Sequence, residues 1–376
     1  MYMEALTKRD EIPFMKDTAY RFLNSHFINW YTFMICFASS IIDTFMKPLT
    51  TDKNQKVLIL DDTSYSRDRS KKVELLSRFY DHSKSKFYKG FKLLTLAWSD
   101  GHSTIPLTYR LLASSKYKKV SGAELQKLKK TTNGYKRRKQ ALKTAPEAMI
   151  EMIREVISKG RIRCRYLLFD SWFSMPKNII KVIETGLDAV GRLKNTSKIH
   201  YMIDDEKLTL KDIYKGKHKR RGKSKYLLSA EAYIKSRELY DTPIKIVFIR
   251  DKNNRKKWIA LFSSDVSLSE EEIIKLYSRR WDIEVLFKMC KSYLKLGREN
   301  RSLSYDSLVA HVSIVFSRYI LLSVEHRKSA DPRTLGEIFC SVIDELNDIR
   351  FYDAINLILE LLVPSMLRDF CIEENV

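Results

Sequence analysis

Three carboxylates, Asp61, Asp170 and Glu284, stand where an acid could do chemistry. Val57-Leu58-Ile59-Leu60 is an unbroken apolar run ending in Asp61-Asp62-Thr63, and Arg165 to Phe169 repeats the pattern just before Asp170. Such runs read as strands buried on both faces that deliver an acid at their end. Glu284 lies in a stretch of helical spacing opened by Ser269-Glu270-Glu271-Glu272, a cap followed by acids in the first turn. Three converging acids could hold two Mg²⁺ ions roughly 3.5–4 Å apart on either side of a scissile phosphate, because a hard cation prefers oxygen donors. One ion would activate a water, and later a DNA 3′-hydroxyl, for in-line attack, and the other would neutralise the leaving oxygen. The chain holds 46 acidic residues, so the trio alone selects nothing; the surroundings of Glu284 select more.

Tyr277, Arg280, Glu284 and Lys291 follow the spacing Y-x2-R-x3-E-x6-K, whose offsets of three, four and seven bring all four near one face of a helix. A carboxylate flanked by two cations and a phenol suits metal binding beside DNA phosphates. A solvated helix with an Arg-Glu pair would show the same spacing.

With these residues in view, the chain resembles the DDE transposases of bacterial insertion sequences, and within them the insertion-sequence-four branch with its Y-R-E-K signature. Leu58 to Thr63 (LILDDT) is similar to the first-aspartate strand of that family, Leu167 to Phe173 (LLFDSWF) to its second, and Tyr277 to Lys291 (YSRRWDIEVLFKMCK) to its third block. Together the blocks span the chain from about Val57 to His311. The resemblance implies an α/β fold with a ribonuclease-H-like catalytic core, interrupted by a β-rich insertion and flanked by N- and C-terminal helical parts. It implies cut-and-paste transposition through a hairpin intermediate, with Asp61, Asp170 and Glu284 as catalytic metal ligands. It also implies two Mg²⁺ ions per active site, with Mn²⁺ as a substitute, and a homodimer on double-stranded DNA, both terminal inverted repeats and target. Asp61 is chosen over Asp62 because relatives show the acid two positions before the Thr. Trp258 sits where similar transposases carry a tryptophan that stacks on a flipped base; a core strand residue is the other reading. Trp172 and Trp281 are assigned to packing.

The elements that must position these groups can be read coarsely. Residues 1–55 are expected to be an N-terminal helical region, shortened relative to the DNA-binding part of similar transposases. The first part of the core is expected over 56–192, a β-rich insertion over 193–266, the last part of the core with the glutamate helix over 267–303, and a C-terminal helical region over 304–376, which would supply the dimer contact. Strands are expected at Phe91–Trp98, Thr104–Leu112, Lys225–Leu228, Lys245–Ile249 and Trp258–Phe262. Helices are expected at Pro146–Lys159, from Pro176, and in one long piece from Ser269 past Lys291.

Composition agrees with a polyanionic partner: 69 Lys and Arg against 46 Asp and Glu leave a net charge of +23 over 376 residues. An apolar fraction of 44% is too high for a disordered basic tail. Five scattered cysteines without a C-x-x-C pair argue for reduced thiols and against a zinc knuckle, so a cytoplasmic, nucleoid-associated location is expected. The segment Met1 to Lys16 has no apolar signal region, and the uncharged stretch Phe22 to Ile42 is diluted by polar residues, so a buried helix is expected there and no membrane partner. Two basic clusters are candidate phosphate contacts: residues 116–143, including Lys136, Arg137, Arg138 and Lys139, and residues 217–225, including Arg220 and Arg221. Charge runs are often only solvated surface. The rival functions are a transposase-derived DNA-binding protein without catalysis and a structure-selective nuclease.

Overall fold

The computed structural model describes residues 16–50, 55–81, 85–114, 128–160, 162–220, 224–237, 239–251, 254 and 257–328. Helices α1 (Lys16–Leu23) and α2 (Trp30–Ile41) come first, and α2 runs on through a π turn, Ile42–Met46. Asn29 caps α2, its side chain accepting from the Thr32 N–H at 3.2 Å. Trp30, Met34, Ile35, Ala38 and Ile41 are buried, so the apolar N-terminal stretch is a core helix.

Strand β1 spans Val57–Ser66, longer than the apolar run suggests. Leu60 is the last of four fully covered residues, and from Asp61 to Ser64 the strand is only partly covered. Thus Asp61 sits in mid-strand, where the burial changes, and not at a strand end. The hairpin β2 (Ser77–Asp81) and β3 (Lys86–Ser99) follows, then β4 (Thr104–Leu112). Next come α3 (Asn133–Ala141), α4 (Ala145–Lys159), β5 (Tyr166–Phe169), α5 (Pro176–Ile183) and β6 (Asp188–Arg192). β1 pairs antiparallel with β3 and parallel with β5, and β5 pairs parallel with β6, giving the run β4-β3-β1-β5-β6. This mixed sheet, with helices packed against it, is consistent with a ribonuclease-H-like core.

The β-rich stretch expected as an insertion prolongs this same sheet. Strands β7 (Tyr201–Ile203) and β8 (Glu206–Leu208), helix α6 (Leu210–Gly216), and strands β9 (Leu228–Ser236), β10 (Leu239–Arg250) and β11 (Trp258–Ser263) continue the order β6-β11-β10-β9-β7-β8. The join is antiparallel, with Leu261 opposite Arg192 and Ser263 opposite Val190. The strand expected at Lys225–Leu228 starts only at Leu228; Lys225 instead pairs with Glu271 at 2.7 Å.

The long helix expected from Ser269 past Lys291 is broken. α7 (Glu270–Ser278) is opened by the expected Ser269 cap, whose carboxylate partner Glu272 accepts from the Ser269 N–H at 2.8 Å. A 3-10 turn, Arg279–Trp281, then leads into α8 (Asp282–Ser292). No Pro or Gly lies between Ser269 and Ser292 to break it. Tertiary bonds pin the turn to the sheet: Arg279 donates to the carbonyls of Gln55 and Ser99, and the Ser99 hydroxyl donates to Asp282 at 3.0 Å.

Helix α9 (Tyr305–Lys328) packs on α2, β4 and α8. Tyr305, Leu308, Val309, Val312, Phe316, Ile320 and Val324 are buried, so the apolar residues of this helix, in the region where the resemblance put the dimer contact, pack into the core. The rest of the C-terminal region lies outside the described residues.

Candidate active site

Parallel pairing sets the first two acids side by side. Val57, Leu58 and Ile59 lie opposite Tyr166, Leu167 and Leu168. Asp61 lies two residues beyond Ile59 on β1, and Asp170 two beyond Leu168, one past the end of β5, near enough for its charge to act on Asp61. Asp170 follows the last residue of β5 and is fixed by a turn: the Trp172 N–H donates to its Oδ1 at 2.8 Å, and the Phe173 N–H to its carbonyl at 3.2 Å.

Helix α8 packs on β1 and supplies the third acid, Glu284, in its first turn, where the helix dipole favours negative charge. Arg280 joins the two elements. Its Nη1 donates to Asp61 Oδ2 at 2.8 Å and its Nη2 to Glu284 Oε1 at 2.7 Å. The Arg280 side chain is 9% exposed, that of Asp61 14% and that of Glu284 41%, so the bridge runs from the interior to solvent. Lys291 donates to the Thr63 hydroxyl at 2.7 Å, two residues along the same strand face. Tyr277 is partly covered; burial raises its phenol pKa against the pull of Arg280 and Arg192, and Asp170 adds to the rise. All four residues of the signature therefore gather at β1 and β5, despite the break in the helix.

Asp61 and Asp62 point to opposite faces, as adjacent strand residues must. Asp62 pairs with Lys92 at 3.0 Å, whereas Asp61 faces Arg280 and donates nothing, accepting also the Asp62 N–H at 2.8 Å. Burial pushes the Asp61 carboxyl up from 3.8 to about 7; Arg280 opposes the rise, and the charges of Asp62 and Asp170 reinforce it. A buried acid beside like charges is a site of stored electrostatic cost that a cation would relieve.

Among the described residues no three His, Cys, Asp or Glu side chains are gathered closely enough to hold a metal ion as they stand. The donor set nevertheless suits a hard divalent cation. Asp61 and Asp170 offer carboxylate oxygens near enough for their charges to interact, and Glu284 is removed from Asp61 by a single guanidinium.

Other candidate residues fall differently. Arg137 and Arg138 are not phosphate contacts: both are buried, on the inner side of α3. Arg138 binds both oxygens of Glu74 and reaches Asp306 Oδ2 at 2.9 Å, while Arg137 reaches Asp306 at 3.2 Å and the Ile28 carbonyl at 2.6 Å. Their neighbours Lys136 and Lys139 are exposed and, with Lys130, Lys143 and Tyr135, line an open depression. Arg220 is exposed with its guanidinium 4.4 Å from the centroid of the Tyr226 ring, and Arg221 lies outside the described residues. Trp258 lies half-buried in β11, its ring stacked on Tyr214 at 4.9 Å and edge-on to Phe248 at 5.0 Å.

The packing assigned to Trp172 and Trp281 is not what the fold gives them. They are 53% and 58% exposed. Sequence reasoning also passed over Arg192, exposed at the end of β6 and near enough to Tyr277 to act on its phenol, and Lys92 on β3. Arg192 ends a short apolar strand, the same signal that marked Asp170. Lys92 carried no signal, because only the sheet brings it beside Asp62.

An acid in the middle of β1, another just past the end of its parallel neighbour β5 and a third on a helix packed on β1 are consistent with a nuclease of the ribonuclease-H-like class. The chain belongs to the DDE superfamily endonucleases: the model of that family matches residues 3–238, a span that includes Asp61 and Asp170 and ends before Glu284. Membership supports a DNA-cleaving enzyme. No curated protein matches the chain.

Proposed function

We propose that the protein is a transposase of an insertion sequence, cleaving element ends and joining them to target DNA with one active site built from Asp61, Asp170 and Glu284. The observation that carries the reading is the closeness of Asp61 and Asp170 past the paired part of β1 and β5, together with the Arg280 bridge from Asp61 to Glu284. The three carboxylates would hold two divalent ions, Mg²⁺ or Mn²⁺ in its place, which supply a low-pKa water and neutralise charge on a leaving oxygen. Arg280, released from the carboxylates, would turn its guanidinium to a DNA phosphate, a partner whose geometry it fits equally well. Lys291 would hold β1 and α8 in register through Thr63 and lend its charge to the DNA backbone. The net charge of +23 and the exposed Lys136, Lys139 and Arg220 support a long contact with DNA. The family description reaches cleavage; strand transfer, a hairpin on the element end and a dimer holding two ends belong to this reading.

The test is incubation with Mg²⁺ and DNA carrying the terminal inverted repeats that flank the coding sequence. Hairpin-ended product and joined target are the expected outcome. Nicking without hairpins or joining would reduce the function to a nuclease, and binding without cleavage would reduce it to a DNA-binding protein.

A further inference from the structure

Where α2, α3 and α4 meet there is a cavity of about 220 Å³, and none of the residues at the catalytic acids lines it. Its wall runs from exposed Lys136 and Lys159 to buried Arg137 and Trp30. The cap and first turn of α2, Asn29 to Thr32, form one side, so the positive end of that helix dipole faces the space. Two of the wall residues also hold an N–H that nothing accepts. Trp30 and Arg137 are 5% and 3% exposed, and neither Trp30 Nε1 nor Arg137 Nη1 has a hydrogen-bond partner among the described residues. The other guanidinium nitrogens of Arg137 are committed, Nε to the Asn133 carbonyl at 3.2 Å and Nη2 to the Ile28 carbonyl at 2.6 Å. Buried donors without an acceptor are destabilising, so two on one wall call for a ligand.

The local charge asks for the same ligand. Arg110 is balanced by Glu155, and Arg137 and Arg138 by Asp306 and Glu74, which leaves Lys136 and Lys159 as the excess. Glu155 is the one acid on the wall among the described residues, and Arg110 Nη2 already holds it at 2.6 Å. Indole, guanidinium and ammonium groups donate and cannot accept. Water could take their hydrogen bonds but would leave the charge in place, whereas an oxyanion answers both. Lys159 rests on the Thr32 hydroxyl at 2.9 Å, so an ammonium stands beside the first turn of α2.

We propose that this cavity binds one free tetrahedral oxyanion of the phosphate or sulfate class, with Trp30 and Arg137 donating from its buried side and Lys159 from its mouth. Arg137 is too deep for a DNA backbone to reach but not for a small ion, which separates this site from the open lysines beside it. The bound ion would tie α2, α3 and α4 together, because each supplies a donor. Full-length protein is dialysed against radiolabelled inorganic phosphate in about 0.15 M NaCl, which screens the surface lysines. Wild type should take up one phosphate per chain in a saturable way, and its thermal midpoint should rise over the same concentrations. Trp30→Phe keeps an aromatic ring but removes the N–H, and should weaken uptake about ten-fold. Lys159→Gln, exposed and harmless to the core, should weaken it a few-fold. Lys177→Gln on α5, away from the cavity wall, should leave uptake unchanged. Saturating duplex DNA should leave the phosphate in place; displacement by duplex would give the cavity to a backbone phosphate and overturn the free-ion site. Uptake that does not saturate, or that survives both Trp30→Phe and Lys159→Gln undiminished, overturns it too, whether or not the protein cleaves DNA.

Discussion

Arg138 and Arg280 each bridge two carboxylates from distant parts of the chain, as Arg165 does between Asp188 and Asp265, and the first two differ in what surrounds them. Arg138 joins Glu74 to Asp306 with all three side chains at most 5% exposed, and Glu74 also accepts the Tyr305 N–H at 2.9 Å. Burial works against the charge of Arg138, but hydrogen bonds to Glu74 and Asp306 outweigh it and hold the guanidinium above its ordinary pKa. Arg280 joins Asp61 to Glu284, yet Glu284 is 41% exposed and Asp61 is pushed up to about 7. One bridge is closed and satisfied, fastening α3 to α9. The other is open on one side and leaves a carboxylate short of compensation, as a binding site must before its ligand arrives.

The largest expected effect tests the open bridge. Asp61→Asn, Asp170→Asn and Glu284→Gln should each lower the Mg²⁺-dependent cleavage rate by about a thousand-fold or more, with unfolding transitions kept. That corresponds to about 4 kcal/mol of barrier. Asp62→Asn, on the other face and paired with Lys92, should stay within about ten-fold of wild type. Cleavage that survives Asp61→Asn but not Asp62→Asn would move the site to the opposite side of β1.

Replacing each arginine by Met sharpens the contrast. Arg138→Met leaves two buried carboxylates unpaired and should cost about 3–5 kcal/mol in urea unfolding at neutral pH. Arg280→Met should cost about 1 kcal/mol or less, because Glu284 keeps its water and Asp61 can take up a proton. Equal losses would show that the two bridges are both structural.

Asp61 also predicts a pH dependence. Its folded-state pKa lies above the unfolded value of 3.8, so between there and about pH 7 the folded chain holds the extra proton. The stability contributed by this group is present at the acid end of that window and is lost as pH rises through it. Asp61→Asn should therefore raise stability at pH 8 by about 2 kcal/mol, after discounting for partial solvation, with the gain vanishing towards pH 4. Added Mg²⁺ should narrow the gap at pH 8 by stabilising wild type alone.

What the sequence disclosed follows from locality. Continuous apolar runs disclosed β1 and β5 and hence the two aspartates, and a Ser-x-x-Glu cap disclosed the start of α7. The break before Asp282 was illegible because its cause, Ser99, is on β3, far away in the chain. Charge signs were read correctly at 136–139, but their destinations depend on Glu74 and Asp306. Trp172, expected to pack, is half exposed for the same reason: its neighbours, Lys92 among them, come from distant parts of the chain and leave about half of it open.

The smallest expected effect takes the comparison inside a single helix. On α3, Lys136 and Lys139 face solvent while Arg137 and Arg138 face the core, so a four-residue basic run is divided by helical geometry into two jobs. If the exposed pair meets DNA phosphates, Lys136→Ala and Lys139→Ala should each weaken binding a few-fold for any sequence and lower the slope of log affinity against log salt by about one. Neither should move the unfolding midpoint, because neither side chain fills the core. Arg137→Ala should do the reverse, lowering stability through the loss of Asp306 and Ile28 while leaving the salt slope of the folded fraction unchanged. A salt slope that fell with Arg137→Ala as much as with Lys136→Ala would mean that α3 turns its buried face outward on DNA, and that the closed bridge opens too.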